Sequence, residues 1–117
     1  MDTEKTLRNT QLQMRKGLLE LCVLSIISRG EIYLSDIITK LKANELIVVE
    51  GTLYPLLNRL KNGGLLRYSW RESSSGPPRK YYALTDDGRT FLQQLLGTWQ
   101  QLQQAVQHST TPLQPTA

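Results

Sequence analysis

The sequence predicts a mainly helical α+β chain: three helices, a β-hairpin and a long closing helix. Three observations carry this reading. Apolar residues recur at helical spacing over residues 11–29, 35–43, 51–61 and 86–108. Two aromatic-rich runs, Leu65–Arg71 and Lys80–Leu84, lie between the third and fourth of these stretches. The length, 117 residues, suits one domain with a small core.

The polar residues 1–10 either fray or extend the first helix. Over 11–29, Leu18, Leu21, Cys22, Ser25 and Ile26 form one stripe, with Met14 a turn earlier. Leu19, Val23, Leu24 and Ile27 form a second apolar surface, so this helix must be covered on two sides. In so small a domain the second cover is expected from another subunit. Gly30 is placed to end the helix. Ser35 and Asp36 open the second helix, whose apolar face is Ile37, Ile38 and Leu41. Asn44–Val49 is a connection with an extended apolar piece.

The third helix carries Leu53, Leu56, Leu57 and Leu60 at i, i+3, i+4 and i+7. Asn62-Gly63-Gly64 stops it. Pro55 sits near its start, where an interior proline loses a backbone bond and crowds the carbonyl four residues back. Two accounts fit: Thr52 is the N-cap and Pro55 falls in the first turn, or the helix starts earlier and Gly51 eases the crowding. The two strands follow, joined through residues 72–79 as a long hairpin loop with a basic shoulder. Thr85 then caps the last helix, and Asp86 and Asp87 suit the positive end of its dipole. Leu92, Leu95, Trp99, Leu102 and Val106 are spaced as a two-heptad seam, flanked by Phe91 and Leu96, which suit the chain's own core. Residues 109–117, rich in Thr, Pro and Gln, are expected to be disordered.

Composition narrows the function. The hydrophobic fraction of 39% and charged fraction of 21% fit a soluble globular chain. One cysteine excludes an intrachain disulfide, and one cysteine with one histidine excludes a four-ligand Cys/His zinc site. A Ser-His-Asp arrangement would have to use His108, in a polar segment unsuited to hold a base rigidly. No enzyme, metal or cofactor is therefore expected. No run reaches the ~18 apolar residues of a membrane span, and no signal segment opens the chain. A cytoplasmic protein with Cys22 as a reduced thiol follows.

The charge is concentrated. Fourteen Lys and Arg against ten Asp and Glu give a net +4. Residues 50–80 hold Arg59, Lys61, Arg67, Arg71, Arg79 and Lys80 against only Glu50 and Glu72, which accounts for the whole excess. Such a patch suits a polyanion partner. Three helices followed by a basic hairpin is the plan of a winged helix-turn-helix, here with a C-terminal dimerisation helix. An α-helix fits the major groove, and a hairpin tip with Arg or Lys reaches neighbouring phosphates. The third helix turns Thr52, Tyr54, Pro55, Asn58, Arg59 and Lys61 away from its leucine stripe.

The segments Gly51-Thr52-Leu53-Tyr54-Pro55-Leu56-Leu57-Asn58-Arg59-Leu60, Gly64-Leu65-Leu66 and Gly76-Pro77-Pro78-Arg79-Lys80-Tyr81-Tyr82-Ala83-Leu84-Thr85, with Gly88, closely resemble the PadR family of bacterial transcriptional regulators. The match covers roughly residues 17–100, and the single short C-terminal helix is similar to the smaller subfamily that includes multidrug-sensing repressors. The resemblance implies a homodimer in which the last helix pairs with the partner's first helix. It assigns DNA contact to Thr52, Tyr54, Pro55, Asn58, Arg59, Arg79 and Lys80, and the dimer interface to Leu92, Leu95, Trp99, Leu102 and Val106. Trp99 matches a position where related proteins stack flat aromatic drugs; plain interface packing is the other reading. Departures are Leu34 where the family has Gly, Val49 where a capping Ser or Asn is usual, and no acidic residue after Leu60. The function expected is a dimeric repressor on a double-stranded inverted-repeat operator, released by a small aromatic or drug-like effector. The alternative is a winged-helix protein-interaction module without DNA binding.

Overall fold

The structure, a computed structural model, describes residues 2–46 and 48–113. The element order is α1 (Thr3–Ile27), β1 (Ile32–Tyr33), α2 (Leu34–Ala43), α3 (Glu50–Asn62), β2 (Leu66–Ser73), β3 (Gly76–Leu84) and α4 (Asp86–Thr110), with a 3-10 turn over Thr111–Leu113. The expected class and plan hold, with a three-stranded antiparallel sheet ordered β1-β3-β2.

α1 starts earlier than the apolar pattern does. Asp2 caps it, its carboxylate accepting from the Lys5 amide at 3.2 Å, so residues 3–10 are helical. Of the two apolar surfaces of its second half, Val23, Leu24, Ile26 and Ile27 are buried, while Leu18, Leu19, Cys22 and Ser25 stay half-buried. Leu21, Val23, Leu24, Ile26 and Ile27 are buried as a central post, against Ile37 and Leu41 of α2, Leu53, Leu57 and Leu60 of α3, Leu66, Tyr82 and Leu84 of the sheet, and Leu92 of α4. The unburied apolar residues lie earlier, at Leu7, Leu12 and Met14.

α2 and α3 end alike. Leu46 N–H bonds Leu41 C=O at 2.8 Å and Glu45 N–H bonds Lys42 C=O at 2.9 Å; Leu65 bonds Leu60 and Gly64 bonds Lys61, each at 3.0 Å. Both are Schellman closures, which demand a left-handed residue after the cap. Gly64 meets that demand at φ +80°, while Glu45 meets it at φ +64° with a side chain attached.

The hairpin is longer than expected and its loop shorter. Pairing runs from Leu66↔Leu84 to Ser73↔Gly76, so Pro77, Pro78 and Arg79 belong to a strand. Arg71 pairs with Arg79 and Ser73 with Gly76, so Pro77 and Pro78 together face Glu72 across a bulge. A bulge tolerates proline because it leaves a residue unpaired. β1 pairs only with Tyr81 and Tyr82, so both prolines also lie beyond the reach of a second neighbouring strand.

α4 is fastened at its foot. The Thr85 hydroxyl accepts from Gly88 N–H at 3.0 Å and donates to Gly64 C=O at 2.6 Å, while Thr85 N–H bonds Leu65 C=O at 3.1 Å. Of the expected seam, Leu92 is buried in its own chain's core, and Leu95 and Trp99 are half-buried against that core, as is Phe91. Leu96 does not join them, being 39% exposed; Leu102 and Val106 are 51% and 57% exposed. The expected disorder from residue 109 is corrected as far as residue 113. Ser109 and Thr111 hydroxyls donate to the carbonyls of Ala105 and Gln107, each at 2.7 Å, and the helix carries on. Residues 114–117 lie outside the described residues.

Candidate nucleic-acid interface

Burial of Leu53, Leu56, Leu57 and Leu60 fixes which face of α3 meets water. Thr52, Tyr54, Pro55, Asn58, Arg59 and Lys61 are all exposed on the other side. Of the two accounts of Pro55, the structure takes the second. The helix begins at Glu50 behind Val49, which gives no side-chain cap, and Thr52 and Leu53 amides both bond Val49 C=O at 3.0 and 3.1 Å. Pro55 has no N–H for the Gly51 carbonyl. Open space surrounds the missing Cβ of Gly51, so the crowding falls where there is least to crowd.

Strand alternation sorts the wing residues. Trp70 pairs with Lys80 and Tyr68 with Tyr82, on the face that continues into the buried Leu66 and Leu84. Arg71 pairs with Arg79 and Ser69 with Tyr81, on the opposite face, joined there by Tyr33 of β1. Arg79 and Lys80 are adjacent in sequence but serve different faces.

On the outer face the arginines stack on tyrosines. The Arg79 guanidinium lies 4.8 Å from the Tyr33 ring centroid, and Arg71 lies 4.7 Å from Tyr81. Glu31 pairs with Arg71 and stands 4.0 Å from Arg67. On the inner face, Lys80 Nζ lies 4.2 Å from the Tyr68 ring, 5.4 Å from Trp70, 5.6 Å from Tyr54 and 5.9 Å from Tyr82. Lys61 approaches Tyr68 from α3 at 5.2 Å. A cleft of about 360 Å³ opens between the wing and the starts of α2 and α3, bordered by Tyr33, Glu50, Tyr54, Trp70 and Arg79.

Three features escaped the sequence. Trp70, a natural core or wing-base residue from its size, is 62% exposed and meets Tyr68 edge-on at 6.3 Å. Arg59 is engaged by Glu20 of α1 at 3.1 Å, across the helix boundary. Tyr82 is buried with no hydrogen-bond partner for its hydroxyl among the described residues. Its pKa is pushed up to about 12, first by burial and then by Tyr54 and Tyr68. The signal for the first was on the page: aromatic residues at 68, 70 and 82 share strand parity with Lys80 once the hairpin register is known. Cys22 is half-buried, and burial pushes its thiol up. Among the described residues, no cluster of His, Cys, Asp or Glu is grouped to hold a metal. No helix there is long and apolar enough to cross a membrane.

The chain can be set beside known proteins. A family model described as the transcriptional regulator PadR-like family matches residues 23–94. A solved PadR-like transcription factor from bacteroid fragilis is 56% identical, with 86% of this chain and 97% of that chain covered and a TM-score of 0.72. A PadR family transcriptional regulator from Eggerthella lenta is 33% identical over 88% of this chain and 90% of that one, with a TM-score of 0.82. The fold is also that of Bacillus subtilis PadR solved in complex with operator DNA, at 24% identity over 68% of this chain and 45% of that one and a TM-score of 0.62.

Proposed function

The chain belongs to the PadR-like family of transcriptional regulators, and from that premise we propose that it is a homodimeric repressor of an inverted-repeat operator in double-stranded DNA. The observation that carries the proposal is the pairing of an exposed polar face on α3 with a cationic wing beside it. Thr52, Tyr54, Pro55, Asn58 and Arg59 form the part that enters the major groove, with Asn58 suited to adenine and Arg59 to guanine or phosphate. Arg79 on the wing contacts the flanking backbone. Such a protein works where the DNA is, in the cytoplasm.

Dimerisation is supported by what the single chain leaves bare. Leu7, Leu12 and Met14 of α1 and Leu96, Leu102 and Val106 of α4 are exposed apolar residues on the two terminal helices. A second copy laying its α4 along α1 would cover them. Leu95 and Trp99 border that surface, while Leu92 serves mainly its own core. Trp99, half-buried beside that surface, is the residue on which a small aromatic effector would stack to shift the spacing of the two reading heads.

The test is binding of a labelled duplex from upstream of the chain's own coding sequence, read as affinity against salt. Binding above that of random duplex, with half-sites about one helical turn apart, upholds the proposal. Arg79→Ala, which removes one contact from each protomer, should flatten the slope of log K against log salt by about two phosphate contacts, a change of ~1.8. Equal affinity for all duplexes, or a stable lone subunit at micromolar concentration, refutes it. If no duplex is bound at all, the interaction module without DNA binding takes its place.

A further inference from the structure

We propose that Lys80 is a positioning residue: its ammonium, held among the rings of Tyr54, Tyr68, Trp70 and Tyr82, clamps the wing to the recognition helix and does not bind phosphate. The proposal rests on the DNA-binding reading above and revises one part of it, since Arg79 and Lys80 would otherwise act alike.

Three observations carry it. First, the two neighbours face opposite ways: Arg79 pairs with Arg71 on the outer face, and Lys80 pairs with Trp70 on the face that runs into the core. Arg79 is exposed and Lys80 half-buried. Second, the four rings come from three elements, with Tyr54 on α3, Tyr68 and Trp70 on β2, and Tyr82 on β3, and all four centroids lie 4.2–5.9 Å from one nitrogen. Removing that nitrogen takes away the contact that joins Tyr54 of α3 to the rings of the wing. Third, none of the three ion pairs among the described residues includes Lys80. The negative faces of the rings are its counter-charge. Lys61, 5.2 Å from the Tyr68 ring and so more distant from it than Lys80, adds a second link from α3.

A lysine that reached for phosphate would have to leave this cluster and lose all four ring contacts. It would also release Tyr54, whose hydroxyl sits on the reading face. A clamp therefore raises affinity without adding a contact to the DNA, by holding Tyr54 and the wing in one arrangement before binding.

The experiment uses the full chain and a fluorescein-labelled mixed-sequence duplex of about 30 base pairs, long enough for one dimer footprint. Two readouts are taken. The first is the proton shift of the Lys80 ε-methylene, free and saturated with duplex. The second is the slope of log K against log salt for the parent, Lys80→Met, Lys80→Arg and Arg79→Ala. The expected result is an ε-methylene signal upfield of the lysines other than Lys61, unchanged when DNA is added. Lys80→Met should lose roughly 5- to 30-fold in affinity at an unaltered slope, and Lys80→Arg should recover most of it, because a guanidinium also sits on aromatic faces. Arg79→Ala should instead lower the slope by ~1.8, one contact from each protomer. A methylene signal that returns to the ordinary lysine position on DNA, or a slope lowered by ~1.8 in Lys80→Met, overturns the clamp. If the parent binds no duplex, the regulator reading fails alone. The free-protein signal then decides the clamp, an upfield position upholding it and an ordinary one removing it.

Discussion

Gly88→Ala should unseat the last helix. Alanine at a helical glycine normally stabilises by up to about 1 kcal/mol. Here the added methyl would stand 2.1 Å from the carbonyl oxygen of Leu65 and 3.1 Å from its carbon. Relief needs a shift of about 1.4 Å, since packed atoms meet at roughly 3.5 Å. The obstacle is backbone, and it is tied down. Leu65 C=O accepts from Thr85 N–H, and Gly64 C=O next to it accepts from the Thr85 hydroxyl that also caps α4. Losing two hydrogen bonds and a cap costs about 3 kcal/mol, and overpacking adds about 1 more. Subtracting the propensity gain leaves a net loss of about 3 kcal/mol. A chain of 117 residues should then melt about 10 °C lower. Thermal and urea unfolding followed by circular dichroism would measure it. Gly17→Ala, where no atom lies within 4 Å of the new carbon, supplies the contrast and should gain about 0.5–1 kcal/mol. A Gly88→Ala protein as stable as the parent would refute the seating.

Tyr82→Phe should stabilise by about 1 kcal/mol at neutral pH, because it deletes a buried hydroxyl without a partner. Since the folded pKa of about 12 lies above the ordinary 10, the parent should lose stability as pH rises from 10 to 12, and the variant should lack that part of the loss; a lower urea midpoint for the variant at neutral pH would contradict this. Glu45→Gly should raise stability by roughly 0.5–1 kcal/mol by relieving a left-handed residue, and an unchanged melting point would show the conformation to be free of strain. Glu20→Gln should release Arg59 and raise affinity for duplex about 2- to 5-fold, with a stability change under about 1 kcal/mol for so exposed a pair. Weaker binding in an anisotropy titration would mean that Glu20 holds Arg59 in its working position.

Local periodicity made α2, α3 and α4 legible, because one apolar stripe per helix is what a two-layer core requires. The reading face of α3 followed as the side opposite Leu53, Leu56, Leu57 and Leu60. What sequence spacing missed was set by partners far along the chain. Ile32-Tyr33 is too short to show a period and is a strand only because β3 lies beside it. Pro77 and Pro78 read as loop, yet the bulge opposite Glu72 admits them to the strand. Two apolar surfaces on α1 suggested a second subunit; the chain's own elements bury Val23, Leu24, Ile26 and Ile27 and leave Leu18 and Cys22 half-buried. The wing's charges were visible, but their division between faces depends on hairpin register, and the hold of Glu20 on Arg59 spans 39 positions.

The fastening of Thr85 and Gly88 to the exit turn of α3 turns α4 into a lever with its fulcrum at the reading head. A helix of 25 residues runs about 37 Å, so swinging its far end sideways by about 3 Å rotates the fulcrum by roughly 5°. Whatever grips the outer turns, around Leu102 and Val106, steers the Asn58 and Arg59 face from a distance, with no need to touch it.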